Sequence, residues 1–176
     1  MYMYFWTFFC FVIFDRLIVV LGDKFDISRC PKSWTLLNRP KNHWCIKISI
    51  GTIPIAAAHT LCSRENSKSV LSGVQDSQEY KIIADLARRN IGNQSRIALG
   101  ARRSTDCRAG RVRCFEWTDD VTTGNDAFEI ENWTKSPESS DVDLDHLMFS
   151  VEDRRISDVE GGRSVDGALC GMRSLF

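Results

Sequence analysis

Trp133, Pro137 and Glu138 lie together in the run Asn132-Trp133-Thr134-Lys135-Ser136-Pro137-Glu138, a combination of residue types that could form a binding platform. A Trp inside a polar run needs a pocket beneath it or a ligand above it. Its ring can cap a core or stack on the apolar face of a sugar. Pro137 stiffens the backbone that presents the Glu138 carboxylate. Upstream, Val121 to Asp126 is a turn-forming run whose Thr, Asn and Asp side chains compete with the backbone for hydrogen bonds, so a surface loop is expected there. Downstream, Asp141, Asp143 and Asp145 make an acidic loop. No Gly-x-Ser-x-Gly, Gly-x-Gly-x-x-Gly or His-Glu-x-x-His pattern occurs, and no enzyme activity is expected. His146, beside a strand, reads as a partly buried polar residue rather than a metal ligand.

The elements that position this run must come from one domain. The chain has 176 residues, 43% of them apolar, and a formal net charge of zero. That suits a single core with an appendage at one end. Without a basic face, nucleic acid is not an expected partner, and Arg88-Arg89 and Arg102-Arg103 read as solvated surface. Of seven cysteines, Cys10 lies in an apolar N-terminal block; the other six are an even number, none in a Cys-x-x-Cys pair. Parity therefore favours three disulfides in an oxidising compartment over a zinc site. Residues 1–22 read as a signal peptide cut after Gly22, with an uncleaved membrane anchor as the alternative. Residues 23–29 are a short linker and residues 30–174 the domain.

Cys30 to Arg39 and Trp44 to Ile50 read as two strands around an Asn38–Asn42 turn, a hairpin with a cysteine near each open end. Pro54 to Asn66 reads as a helix capped by Thr52, with Ile55, Ala58, His59 and Cys62 at helical spacing. A short strand and turn over Ser69–Val74 precede a second helix, which Asp76 caps and Glu79 completes as a capping box. Tyr80, Ile83, Ala84 and Leu86 should face the core. Further strands are expected at Arg96–Arg102, Phe115, Leu147–Val151, Arg155–Val159 and Ala168–Arg173, with turns at Asp153-Arg154 and Gly161-Gly162.

The Cys-Pro-x-x-Trp hairpin, the helix–link–helix order, the Phe-Glu-Trp-Thr-Asp strand followed by Thr-Thr-Gly, and the Trp133–Pro137 loop together resemble the C-type lectin-like domain, in particular the secreted nematode members. The resemblance covers about Cys30 to Ser174. It implies an α+β fold with two helices flanking small antiparallel sheets and a long irregular loop region. It also implies the pairings Cys30–Cys45, Cys62–Cys170 and Cys107–Cys114. Ala98 stands where the family often has a Trp, a change expected to reduce packing. The family's second core disulfide has no cysteine at either of its places, near His146 and Gly161.

By the same resemblance, Trp133, Pro137, Glu138 and Asp158 would be the ligand-binding residues, with Glu138 and Asp158 as calcium ligands. Calcium takes about six to eight oxygen donors, and Ser136 and Ser157 stand where the family places acids or amides. The calcium site is therefore expected to be degenerate unless Asp141, Asp143 or Asp145 joins it, and no other cofactor is expected. The implied function is a secreted, extracellular recognition module that binds glycans, with a role in innate defence. The alternative is a calcium-independent domain that binds an extracellular protein. Asn93-Gln94-Ser95 and Asn132-Trp133-Thr134 fit the glycosylation pattern of a secreted glycoprotein.

Overall fold

Period-two alternation of apolar residues builds a sheet with two different faces. A computed structural model of the chain describes residues 29–104, 115–124 and 143–175. Its strands are β1 (Thr35–Asn38), β2 (His43–Pro54), β3 (Val70–Leu71), β4 (Arg96–Arg103), β5 (Phe115–Trp117), β6 (His146–Ser150), β7 (Arg155–Val159) and β8 (Ser164–Arg173). They run in the order β1-β2-β8-β4-β6-β7, with β3 added on β8 and β5 on β4. The expected α+β architecture is found. Two antiparallel ladders, β1-β2-β8 and β4-β6-β7, join into one mixed sheet through a short parallel pair, Ile97 with Gly167 and Ala98 with Ala168.

On β4, Ile97, Leu99 and Ala101 enter one core with Trp44, Ile46, Ile48, Leu147, Phe149 and Leu169, while Ala98 enters the opposite one with Met148, Val165 and Cys170. Ala98 is fully buried there. Helix α2 (Ser77–Ile91) covers the first face with Ile83, Ala84 and Ala87, and helix α1 (His59–Glu65) covers the second with Leu61 and Cys62.

Several local readings need correction. Residues Cys30–Trp34 form a turn, with Ser33 at φ 70° and Trp34 N–H donating to Pro31 O, so only the last part of the first run is strand. Thr52 caps no helix, because β2 continues past a bulge to pair Pro54 with Ser164, and a 3-10 turn at Ile55–Ala57 leads into α1. His59 is exposed and Leu61 takes the buried place. Asp76 does cap α2, accepting from the Gln78 and Glu79 N–H groups, but the Glu79 carboxylate accepts from the Gln75 N–H and from Arg39 rather than closing a box on the Asp76 N–H. Tyr80 and Leu86 only edge the core, the Tyr80 ring standing edge-on to Phe149 at 5.3 Å.

Cys30–Cys45 and Cys62–Cys170 are bonded as the resemblance implies. Cys107, Cys114 and Cys10 lie outside the described residues. A Cβ added to Gly161 would stand 3.4 Å from His146 Cε1, so the two places lacking the family's second disulfide are neighbours, filled by an imidazole that also pairs with Asp145. Among the described residues, no helix is long and apolar enough to cross a membrane.

Candidate functional site

Arg103 ends β4 in the same side-chain row as Ile97, Leu99 and Ala101. That row aims its guanidinium inward across the sheet. Nη2 donates to Asp158 Oδ2 on β7 at 3.1 Å, Nε donates to Leu144 O at 3.0 Å, and Cζ lies 4.8 Å over the Phe115 ring. The Arg103 N–H donates to Asp145 O at 3.2 Å. The Arg103 and Asp158 side chains are only 10% and 15% exposed, so water screens the pair weakly. Arg103 thus clamps the backbone at Leu144 and Asp145 just before β6.

A second cluster anchors the backbone up to Gly124. Arg39, in the hairpin turn, makes a bidentate ion pair with Glu79 of α2 at 2.8 and 2.9 Å. Its other donors reach Thr122 Oγ1 at 2.9 Å and Gly73 O at 3.2 Å, and its Cζ lies 5.2 Å over Trp44. Asp119, 3.8 Å from Arg39, accepts from the N–H groups of Gly73, Val121 and Thr122. Three charged side chains are thereby buried, each with partners, the condition under which burial of charge is tolerated. Gln75 extends the cluster by accepting from the Thr123 N–H. Gly124 packs so closely that a Cβ there would stand 1.5 Å from Gln75 O. Only a glycine fits that approach. The expected surface loop is therefore anchored at its start, where Val121 is buried beside the buried Asp119.

Of the expected site residues, Trp133, Pro137, Glu138, Asn132 and Asp141 lie outside the described residues, in the segment whose two ends these clusters hold. Asp158 is on β7, opposite Leu147, with its carboxylate turned to Arg103. Asp143 is exposed, Asp145 is turned to His146, and Asn93 is exposed in the turn after α2. A calcium ion on Asp158 would share the carboxylate with a fixed positive charge, which opposes binding. Among the described residues, no group of three or more His, Cys, Asp or Glu side chains could hold a metal ion. The described donors do not fit calcium.

Arg103 and Arg39 were missed from the sequence. The parity of β4 could have found Arg103; Arg39, in a polar turn, gives no local sign of burial. Glu79 was noticed, with the wrong partner.

A family model for C-type lectin domain-containing protein 141/158 matches residues 27–154. The chain belongs to this family. C-type lectin-like domains are a recognition-domain family, and the solved structures agree on the fold. The carbohydrate-recognition domain of cow CD23, solved in the presence of a GlcNAc2Man3 oligosaccharide, is 19% identical, with 84% of this chain and 98% of that one covered at a TM-score of 0.60. The C-type lectin CEL-I from Cucumaria echinata is 16% identical, with 82% and 97% covered at 0.62. A calcium-independent type II antifreeze protein is 17% identical, with 83% and 95% covered at 0.57. At these identities the likeness is of fold alone. No curated protein sequence matches the chain.

Proposed function

We propose that this C-type lectin-like domain is a secreted, non-enzymatic recognition module that engages glycans without a calcium bridge, in a role such as innate defence. The observation that carries the reading is the Arg103–Asp158 pair, which compensates the carboxylate on β7 that a calcium ion would need. Binding then rests on hydrogen bonds and on stacking over an aromatic ring, for which Trp133 is the candidate. Pro137 and Glu138 would frame that ring, with Glu138 accepting from sugar hydroxyls rather than ligating a metal. Two disulfides within the fold support an oxidising, extracellular compartment, reached by removal of residues 1–22. The exposure of Asn93 suits a glycan there.

The same pair favours a second reading, a protein ligand, since sugar hydroxyls lose the ion that would coordinate them. A glycan array rich in microbial sugars, probed in calcium and in chelator, decides between them. The first reading expects the same spots in both buffers and their loss in Trp133→Ala. Spots that vanish in chelator overturn calcium independence; a blank array in both buffers favours the protein ligand.

A further inference from the structure

A cleft of about 470 Å³ opens between the segment before β3, the loop after β5 and the end of β8. That volume lies in the range of small-molecule sites, about 300–1,000 Å³. Part of its wall is apolar: Val70 and Leu175 are 42% and 50% exposed, and Val121 and Met172 line the cavity with them. The ring of Trp44 also lines it but is buried, its Nε1 donating to Ser72 Oγ, so it offers little face for stacking. This wall chemistry suits an alkyl chain better than a sugar.

The charges at the rim are uneven. Lys68 and Arg173 both line the cleft, both are exposed, and among the described residues neither side chain makes an ion pair. Against them stand Asp119 and Asp120. The Asp119 carboxylate is already compensated by three backbone amides and by Arg39, which leaves Asp120 as the one exposed anion of the lining. Two uncommitted cations beside one exposed carboxylate favour an anionic head group.

We propose that this cleft binds a small aliphatic acid, its carboxylate between Lys68 and Arg173 and its chain on Val70, Val121, Met172 and Leu175. The site is separate from the Arg103 clamp and does not rest on the glycan reading. An open cleft with exposed ion pairs gives modest affinity that falls with salt.

Isothermal titration calorimetry of the full-length protein with octanoate, octylammonium and octanol, all kept below micelle formation, tests the proposal. Octanoate should bind at least about fivefold more tightly than octanol, and octylammonium more weakly than both. Lys68→Gln with Arg173→Gln should weaken octanoate about tenfold and leave octanol unchanged, whereas Val70→Ser should weaken both. Asp120→Asn, which keeps a residue type tolerant of the local φ of 56°, should strengthen octanoate about twofold. All four substituted side chains are at the surface, and matching circular dichroism spectra will show that the fold is kept. Equal binding of the three probes, absence of binding, or octanoate binding indifferent to the Lys68, Arg173 and Asp120 substitutions would overturn the proposal.

Discussion

In the β1-β2-β8 ladder, one disulfide closes the hairpin and another ties α1 to β8, whereas the β4-β6-β7 ladder has no disulfide among the described residues and is tied at its open end by the Arg103 clamp. The two devices act on different states of the chain. A disulfide restricts the unfolded ensemble and persists when packing loosens; a polar clamp exists only while its partners stay in register. The ladder that holds Leu144 and Asp145 thus has the reversible fastening, so rearrangement costs less there.

Six changes break or sharpen that contrast. Removing Cys62 and Cys170 together, which opens a closure 108 residues apart in sequence, should lower unfolding free energy by about 4–5 kcal/mol in urea titration. Loss of Cys30–Cys45, 15 residues apart, should cost about 3 kcal/mol, and a reversed order would contradict the unfolded-state account. Arg39→Met, which leaves Glu79 and Asp119 buried without their cation, should cost about 3–5 kcal/mol by the same titration.

Giving the second ladder a covalent fastening is the reverse experiment. His146→Cys with Gly161→Cys should oxidise, leaving no new free thiol by thiol titration, and raise stability by up to about 3 kcal/mol. Arg103→Gln should cost about 2 kcal/mol, read from the melting midpoint. Calcium should not restore that loss; a Tm that recovers in calcium but not in chelator would show that Asp158 can serve as a metal ligand.

The smallest effect is a pH dependence on the first ladder. The hydrogen bond from Lys47 holds the Glu65 carboxyl below its usual value of 4.5. A lowered folded value means that the contribution is present above pH 4.5 and lost as pH falls through the folded value. Glu65→Gln should therefore be less stable than wild type at pH 7, by under about 1 kcal/mol for a part-exposed pair, with the gap closing in acid. A gap that widens in acid denaturation curves would contradict the assignment.

The sheet was legible because alternation at Ile46 and Ile48 reports burial directly, Leu147–Phe149 is a run of buried apolar residues, and Arg155–Val159 has the bounds read from sequence. Ile50 shows the limit of that signal. It keeps the alternation and its regular pairing with Gly167 but is 61% exposed, just before β2 bulges between Ile50 and Ile53. Helix starts were harder. Thr52 and Pro54 look like a cap and first turn, yet tertiary pairing with β8 carries both residues into a strand. Arg102-Arg103 looked uniformly solvated because adjacent identical residues hide the parity that sends one side chain out and the next one in. Arg39, Glu79 and Asp119 meet across sequence separations of 40 and 80 residues, and no local pattern reports such a meeting.

The placement of β8 has a consequence for the order in which the chain can fold. β8 is last among the eight strands, yet it lies between β2 and β4 and pairs Trp44 with Arg173 across most of the chain. A nascent chain emerging from the ribosome has the hairpin, both helices and the other ladder before it has the strand that joins them. Until then Ile46 and Ile48 lack their neighbour and the Cys62 thiol lacks Cys170, leaving Cys62 open to the wrong cysteine. Contact order this high predicts slow, largely post-translational closure, with disulfide isomerisation as its error-correcting step.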